Sequence, residues 1–295
     1  MIRPPGTKAG ATMLNHPMRA AAPSSVEWYR DLRRWRVVIF ELGVTVALMG
    51  IYFYIRGQRP DNVDAAVARS LAIVHFEQQV GIFSEVRWQQ FFLPHAWLMK
   101  VANLVYAWGH YPVMLAIAIW LVVKDPYRFR FTRNVLVVSA LIGIISYWIL
   151  PAAPPRLMEI HGYDFGFVDT VHSAANNVRY FQPGPFVNDY AAVPSFHFGW
   201  IALSSASIWV NTNRRSVRAA AVIMSVLMWW AVTVTGNHYF FDMIMGGVVV
   251  AVSWVLVAAL YQVRWNNVAS RLGARPAGPQ RGSRSSKSSS VGDGE

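Results

Sequence analysis

The chain has no cysteine and is poor in acids. Without Cys among its 295 residues, disulfides, thiolate metal sites and a cysteine nucleophile are excluded. Asp and Glu number 15 against 27 Lys and Arg, for a formal net charge of +12, and charged residues make up only 14% of the chain. A soluble domain carries about a quarter of its residues as charges, so this chain is not built for water on all sides. Its apolar residues, 54% of the total, fall in long blocks. The excess of base over acid could suggest nucleic acid, but no basic stripe with interleaved aromatics lies outside the flanks of those blocks, so no nucleic-acid partner is expected. No cleavable signal peptide is expected either. The first apolar run begins deep in the chain, lacks a small-residue cleavage pattern and reads as a signal anchor.

Six blocks read as membrane spans: Val37–Ile55, Leu98–Val123, Val135–Leu150, Phe196–Val210, Ala219–Thr235 and Tyr239–Gln262. A span needs about 20 apolar residues to cross roughly 30 Å of hydrocarbon; the third and fourth are short and need flanking polar residues. The second carries Pro112, which predicts a kink or a preceding short helix. The fold class expected is all-α: a polytopic six-helix membrane bundle over residues 35–268, between a disordered basic tail at 1–34 and a second disordered tail at 269–295. Basic residues mark alternate connections. Arg30, Arg33, Arg34 and Arg36 precede the first span; Lys124, Arg128, Arg130 and Arg133 join the second to the third; Arg214, Arg215 and Arg218 join the fourth to the fifth; Arg264, Arg271 and Arg275 follow the sixth. By the positive-inside rule both termini are cytoplasmic, and the expected location is the cell membrane.

Asp61 to Leu93 then lies outside. Val63, Val67, Leu71 and Val74 recur at helical spacing with Asp64, Arg69 and Glu77 elsewhere on the helix, the pattern of an amphipathic helix on the outer leaflet. Gly81–Ser84 breaks it, and Glu85 to Phe92 forms a second short helix. This connection either packs on the bundle or serves as a lid over a lipid path. Three prolines, Pro151, Pro154 and Pro155, stop the third span, and a loop from Leu157 to Val193 follows that should cover the site.

The same topology brings three polar clusters to the outer face. Arg156 follows the third span, His197 opens the fourth and His238 opens the sixth. Asp242 lies four residues after His238, a spacing that on a helix stacks the two within hydrogen-bond reach. An acid inside a span is costly and usually functional. Glu41, near the inner end of the first span, is expected to snorkel or to pair with a nearby arginine. Two helix N-termini meeting at one place favour an anion, most simply a phosphate. Ser195 can cap the fourth span or donate to a phosphate oxygen. A histidine oriented by a carboxylate can act as base or nucleophile, and a second histidine can protonate a leaving group. His238 with Asp242 is also a possible zinc pair, though no HExxH motif and no cysteine ligand supports it, and no metal or other cofactor is expected. Gly199 and Gly236, beside the two motifs, can equally serve helix packing.

Pro194-Ser195-Phe196-His197-Phe198-Gly199 resembles the second motif of the type-2 phosphatidic acid phosphatase superfamily. Gly236-Asn237-His238-Tyr239-Phe240-Phe241-Asp242, followed by Gly246-Gly247, resembles its third. The resemblance covers roughly residues 35–265. It implies that His238 becomes phosphorylated, that Asp242 orients it and that His197 is the general acid. Two cations of the usual motifs are missing, with Ile149 where a Lys would stand and Ala231-Val232 where Ser-Arg would. Pro151–Arg156 instead looks like the branch containing inositolphosphorylceramide synthase, as do Glu77–Gln89 and the Asn103, Tyr106, His110 series. That branch moves phosphorylated head groups between lipids, which favours transfer slightly over hydrolysis. Arg156 is the remaining candidate phosphate ligand, with Ser195, His110 and Tyr106 as further substrate-binding candidates. The expected partners are a phospholipid or polyprenyl phosphate substrate and the membrane lipids; the oligomeric state is not legible. The rivals are a simple lipid-phosphate or polyprenyl-diphosphate phosphatase, a metal-dependent hydrolase, and a lipid transporter or flippase with a vestigial site, although no inverted repeat supports the last.

Overall fold

A computed structural model describes residues 32–58, 62–172 and 184–271. The two tails expected to be disordered lie outside these residues apart from helix ends, as do residues 173–183 of the long loop. Nine α-helices run through the described residues: α1 Leu32–Gly57, α2 Val63–Gln79, α3 Glu85–Phe92, α4 Ala96–Leu104, α5 His110–Lys124, α6 Pro126–Ile149, α7 Phe196–Asn211, α8 Arg215–Val234 and α9 Phe240–Arg271. The described residues contain no β-strand, only an isolated bridge between Ala152 and Ala191. The chain divides into two compact units, residues 1–258 and 259–295. The described part of the second is the end of α9.

Among the described residues, five helical segments are long and apolar enough to cross a membrane: Arg34–Gly57, Ala96–Lys124, Pro126–Ile149, Arg215–Val234 and Phe240–Val263. The expected fourth span is α7, with 16 residues. At about 1.5 Å per residue it covers roughly 24 Å. The second span is α4 and α5 joined by a π-helical turn at Val105–Gly109. Pro112 has no N–H for the carbonyl one turn back, and the widened turn lies just before it. The third span starts earlier than expected. Asp125 caps α6, its side chain accepting from the backbone of Tyr127 and Arg128, with Pro126 at the first position. Arg128, Arg130 and Arg133 are therefore helical rather than in a loop. Arg128 donates to Asn211 at 2.6 Å. Arg130 (2.6 Å) and Arg133 both pair with Glu41, so the buried acid of α1 pairs rather than snorkels.

One apolar core joins α4, α7, α8 and α9 through Met99, Ala102, Ile201, Met228, Val232 and Met243. Another joins α1, α5 and α6 through Val38, Leu121, Val122 and Phe129. Helix α2 packs inward through Ala66, Val67, Ile73 and Val74 against Ala152, Ala153, Met158 and Tyr239. Asn62 caps it, accepting from the Ala65 N–H. The outer connection thus packs on the bundle. Glu77, placed with the polar face from its spacing, points into the protein and is fully buried.

Candidate active site

The C-terminal ends of α1 and α6 and the N-terminal ends of α7 and α9 meet around a cavity of about 320 Å³. Its wall includes Arg56, Tyr106, His110, Arg156, His197 and His238. The segments that carry the two histidines are bonded to each other. The Ser195 N–H donates to the Asp242 carbonyl at 2.9 Å. Glycine makes this approach possible: a Cβ on Gly246 would strike the Ser195 carbonyl, and one on Gly199 would lie 2.9 Å from the Gly246 oxygen. The turn before His238 passes through Gly236 at φ +69, a conformation open mainly to glycine. Tyr147 and Ser146 of α6 donate to the carbonyls of Pro194 (2.8 Å) and Val193 (3.1 Å), which fixes the start of α7 against the end of α6.

His238 lies just ahead of α9 rather than on it, but its Nδ1 is 3.2 Å from Asp242 Oδ2. The same oxygen accepts the Tyr239 N–H at 3.0 Å. With Nδ1 donating to the carboxylate, Nε2 keeps the lone pair. The His197 ring centre is 5.7 Å from that of His238. Tyr106 stacks on His197 at 4.4 Å and His110 meets it edge-on at 4.7 Å. These two substrate-binding candidates, carried by the π turn and the start of α5, thus line the cavity through His197. Arg156 is brought in by its backbone, whose N–H donates to the Gly236 carbonyl at 2.9 Å. Its guanidinium bonds Asn237 Oδ1 at 2.9 Å and Asp169 at 3.0 Å, with Asp189 at 3.8 Å. Burial would raise the Asp169 pKa, but hydrogen bonds from His172 and the Arg156 charge outweigh it and hold the carboxyl well below its ordinary value.

The two helix N-termini differ. At α9 the N–H groups of Tyr239, Phe240 and Phe241 are taken by Asp242, Glu85 and Glu77, so these three are not open to an anion. That corrects the expectation of two open N-termini. At α7 the N–H groups of Phe196, His197 and Phe198 find no acceptor among the described residues. Ser195 is the N-cap but makes no side-chain cap bond, and its buried Oγ has no partner among the described residues. Of the two helix starts, α7 is the one with these backbone donors unengaged among the described residues.

Sequence reasoning missed Arg56, Asn188 and Asn237. Arg56, in the last turn of α1, lines the cavity and exchanges hydrogen bonds with Asn188. It had a signal: on the expected topology it is a basic residue at the outer end of a span, against the positive-inside trend. Asn188 had none, because its role depends on a loop fold. Among the described residues no three His, Asp or Glu side chains group as a metal-binding set.

The family model of the PAP2 superfamily matches residues 71–256, and the chain belongs to that superfamily of membrane lipid phosphatases and phosphotransferases. It is also 24% identical over 182 residues to a phosphoinositol dihydroceramide synthase of Bacteroides thetaiotaomicron, a match spanning 56% of this chain and 58% of that protein. No solved structure matches.

Proposed function

We propose that the protein transfers a phosphorylated head group between lipids at the extracytoplasmic face of the cell membrane through a phosphohistidine. The observation that carries this reading is the buried His238–Asp242 pair facing His197 across a cavity that also holds Arg56 and Arg156. His238 Nε2 attacks phosphorus, the bond from phosphorus to the lipid alcohol oxygen breaks, and His197 protonates that oxygen. The Arg side chains and the α7 amides stabilise the charge that builds on the phosphoryl oxygens. His197, now a base, takes the proton of an incoming hydroxyl. That oxygen bonds phosphorus, and the pair of the P–N bond returns to Nε2. A lipid alcohol as acceptor gives transfer, and water gives hydrolysis. The name of the Bacteroides relative supports phosphoinositol as the head group and a ceramide as the acceptor. The reaction as drawn uses no metal.

The test is purified protein with fluorescent phosphatidylinositol, with and without ceramide, and with fluorescent phosphatidate. A labelled ceramide product that resists chelators supports the reading. Release of free phosphate alone makes the protein a phosphatase. No turnover with any of these lipids, in protein that moves lipid between leaflets, favours the flippase reading.

We further infer six spans with both termini cytoplasmic, α7 crossing with the help of Val193–Ser195 and Thr212–Arg214. The chain has no cysteine, so the single substitutions Gln58→Cys and Asn213→Cys, at exposed positions, can be labelled from each side without background. Labelling of position 58 only from the cytoplasm would overturn this orientation.

A further inference from the structure

Two carboxyls that the reaction does not use lie beneath the second histidine segment. Glu77 is on the last turn of α2 and Glu85 opens α3, and both are fully buried. Glu85 accepts the Phe240 N–H on Oε1 and the Ser84 N–H on Oε2, each at 2.8 Å. Glu77 accepts the Phe241 N–H on Oε1 at 2.7 Å. Together with Asp242, which takes the Tyr239 N–H, they satisfy three successive amides at the start of α9. A helix is ordinarily capped by an oxygen on its own N-cap side chain. The residue ahead of α9 is Tyr239, whose side chain cannot reach back to these amides, and the oxygens come instead from 155 and 164 residues away. One turn after Glu85, Gln89 accepts the Val168 N–H and donates to the carbonyls of Val168 and Val234. The buried face of the α2–α3 hairpin thus grips both ends of the turn that presents His238.

We propose that Glu77 and Glu85 are a positioning pair that caps the first turn of α9 and holds His238 and Asp242 in register with His197. The inference rests on the reading of His238 as the attacking group. Both oxygens of Glu85 accept N–H bonds. Glu77 has one oxygen, Oε2, without a hydrogen-bond partner among the described residues, and that oxygen can carry a proton. Two facing carboxylates in one buried place do not both ionise. Burial first, then the neighbouring Glu85 carboxyl, pushes the Glu77 carboxyl up to about 9. The other titratable groups facing the pair are Asp242 and Tyr239, on the segment it holds. Above that pH a second negative charge forms beside Glu85 and Asp242, and the cap is driven apart.

The experiment uses the full chain in detergent and the fluorescent phosphatidylinositol assay, together with amide hydrogen exchange over residues 239–243. Glu77→Ala is expected to lower kcat by about 10- to 100-fold with KM changed less than about threefold, as fits loss of a bond to a buried N–H. It should also speed exchange in that segment. Glu77→Gln, which keeps an acceptor for Phe241 but has no proton to lose, should recover most of the rate and remove the wild-type loss of activity above pH 9. Unchanged exchange in Glu77→Ala overturns the cap. Faster exchange with wild-type kcat overturns the positioning role. A wild-type alkaline limb in Glu77→Gln overturns the proton on Glu77, and that variant decides the matter if Glu77→Ala fails to fold. Retained turnover in His238→Ala refutes the catalytic reading alone, because the exchange measurement still decides the cap.

Discussion

The starts of α7 and α9 look alike in the sequence and behave differently in the protein. Each is a helix N-terminus with a histidine at or beside it and a glycine nearby. At α9 three carboxyls consume the amides, so the helix end is saturated and its histidine is held. At α7, whose Phe196 and His197 line the cavity, the first amides and the Ser195 hydroxyl have no partner among the described residues. On the proposed reading, one end fixes a side chain and the other receives an anion. That is the division phosphoryl transfer asks for: an oriented nucleophile on one side, and donors awaiting developing charge on the other.

The sharpest way to break this comparison is at the fixed end. His238→Ala should lower turnover by roughly 10⁴-fold or more, read in the fluorescent lipid assay with the protein still inserted in the membrane. Asp242→Asn should cost about 10³- to 10⁴-fold, because the amide no longer selects the tautomer with its lone pair on Nε2. His197→Ala should cost about 10²- to 10⁴-fold and should be rescued with lipids whose leaving alcohol needs no proton. A full rate in any of the three would dissolve the assignment of roles. At the receiving end the effect is smaller. Ser195→Ala should weaken inhibition by orthovanadate by about 3- to 30-fold with thermal stability unchanged, since Oγ makes no hydrogen bond among the described residues. The smallest effect concerns Arg156. The depressed Asp169 pKa supplies stability that is present above its ordinary value of 3.8 and lost as pH falls through the folded value. Asp169→Asn should therefore melt below wild type at pH 7, and the gap should narrow as the pH drops below 3.8.

Much of the fold was legible because hydrophobic blocks carry their meaning locally. The ends of α3, from Glu85 to Phe92, and the stop of α6 before Pro151 follow from neighbouring residues. The early start of α6 was hidden by its arginines. They read as a topogenic loop, yet Asp125 caps a helix whose arginines are paid back by Glu41 and Asn211 across the bundle. Glu77 was misassigned for a related reason. An acid on an amphipathic helix defaults to the water face unless a distant amide is there to receive it, and Phe241 lies 164 residues on.

The sequence by itself determined the class: an all-helical membrane chain with His197, His238, Asp242 and Arg156 at the ends of its apolar runs. Those properties live in composition, spacing and charge asymmetry, which do not depend on contacts. Only the tertiary structure decided which helix end is open and which is closed, that Arg56 joins the cavity, and that Glu77 and Glu85 lie under the His238 turn. A helix end shows its amides to whatever the rest of the chain brings near them, and a buried carboxyl is tolerated only where such donors meet it.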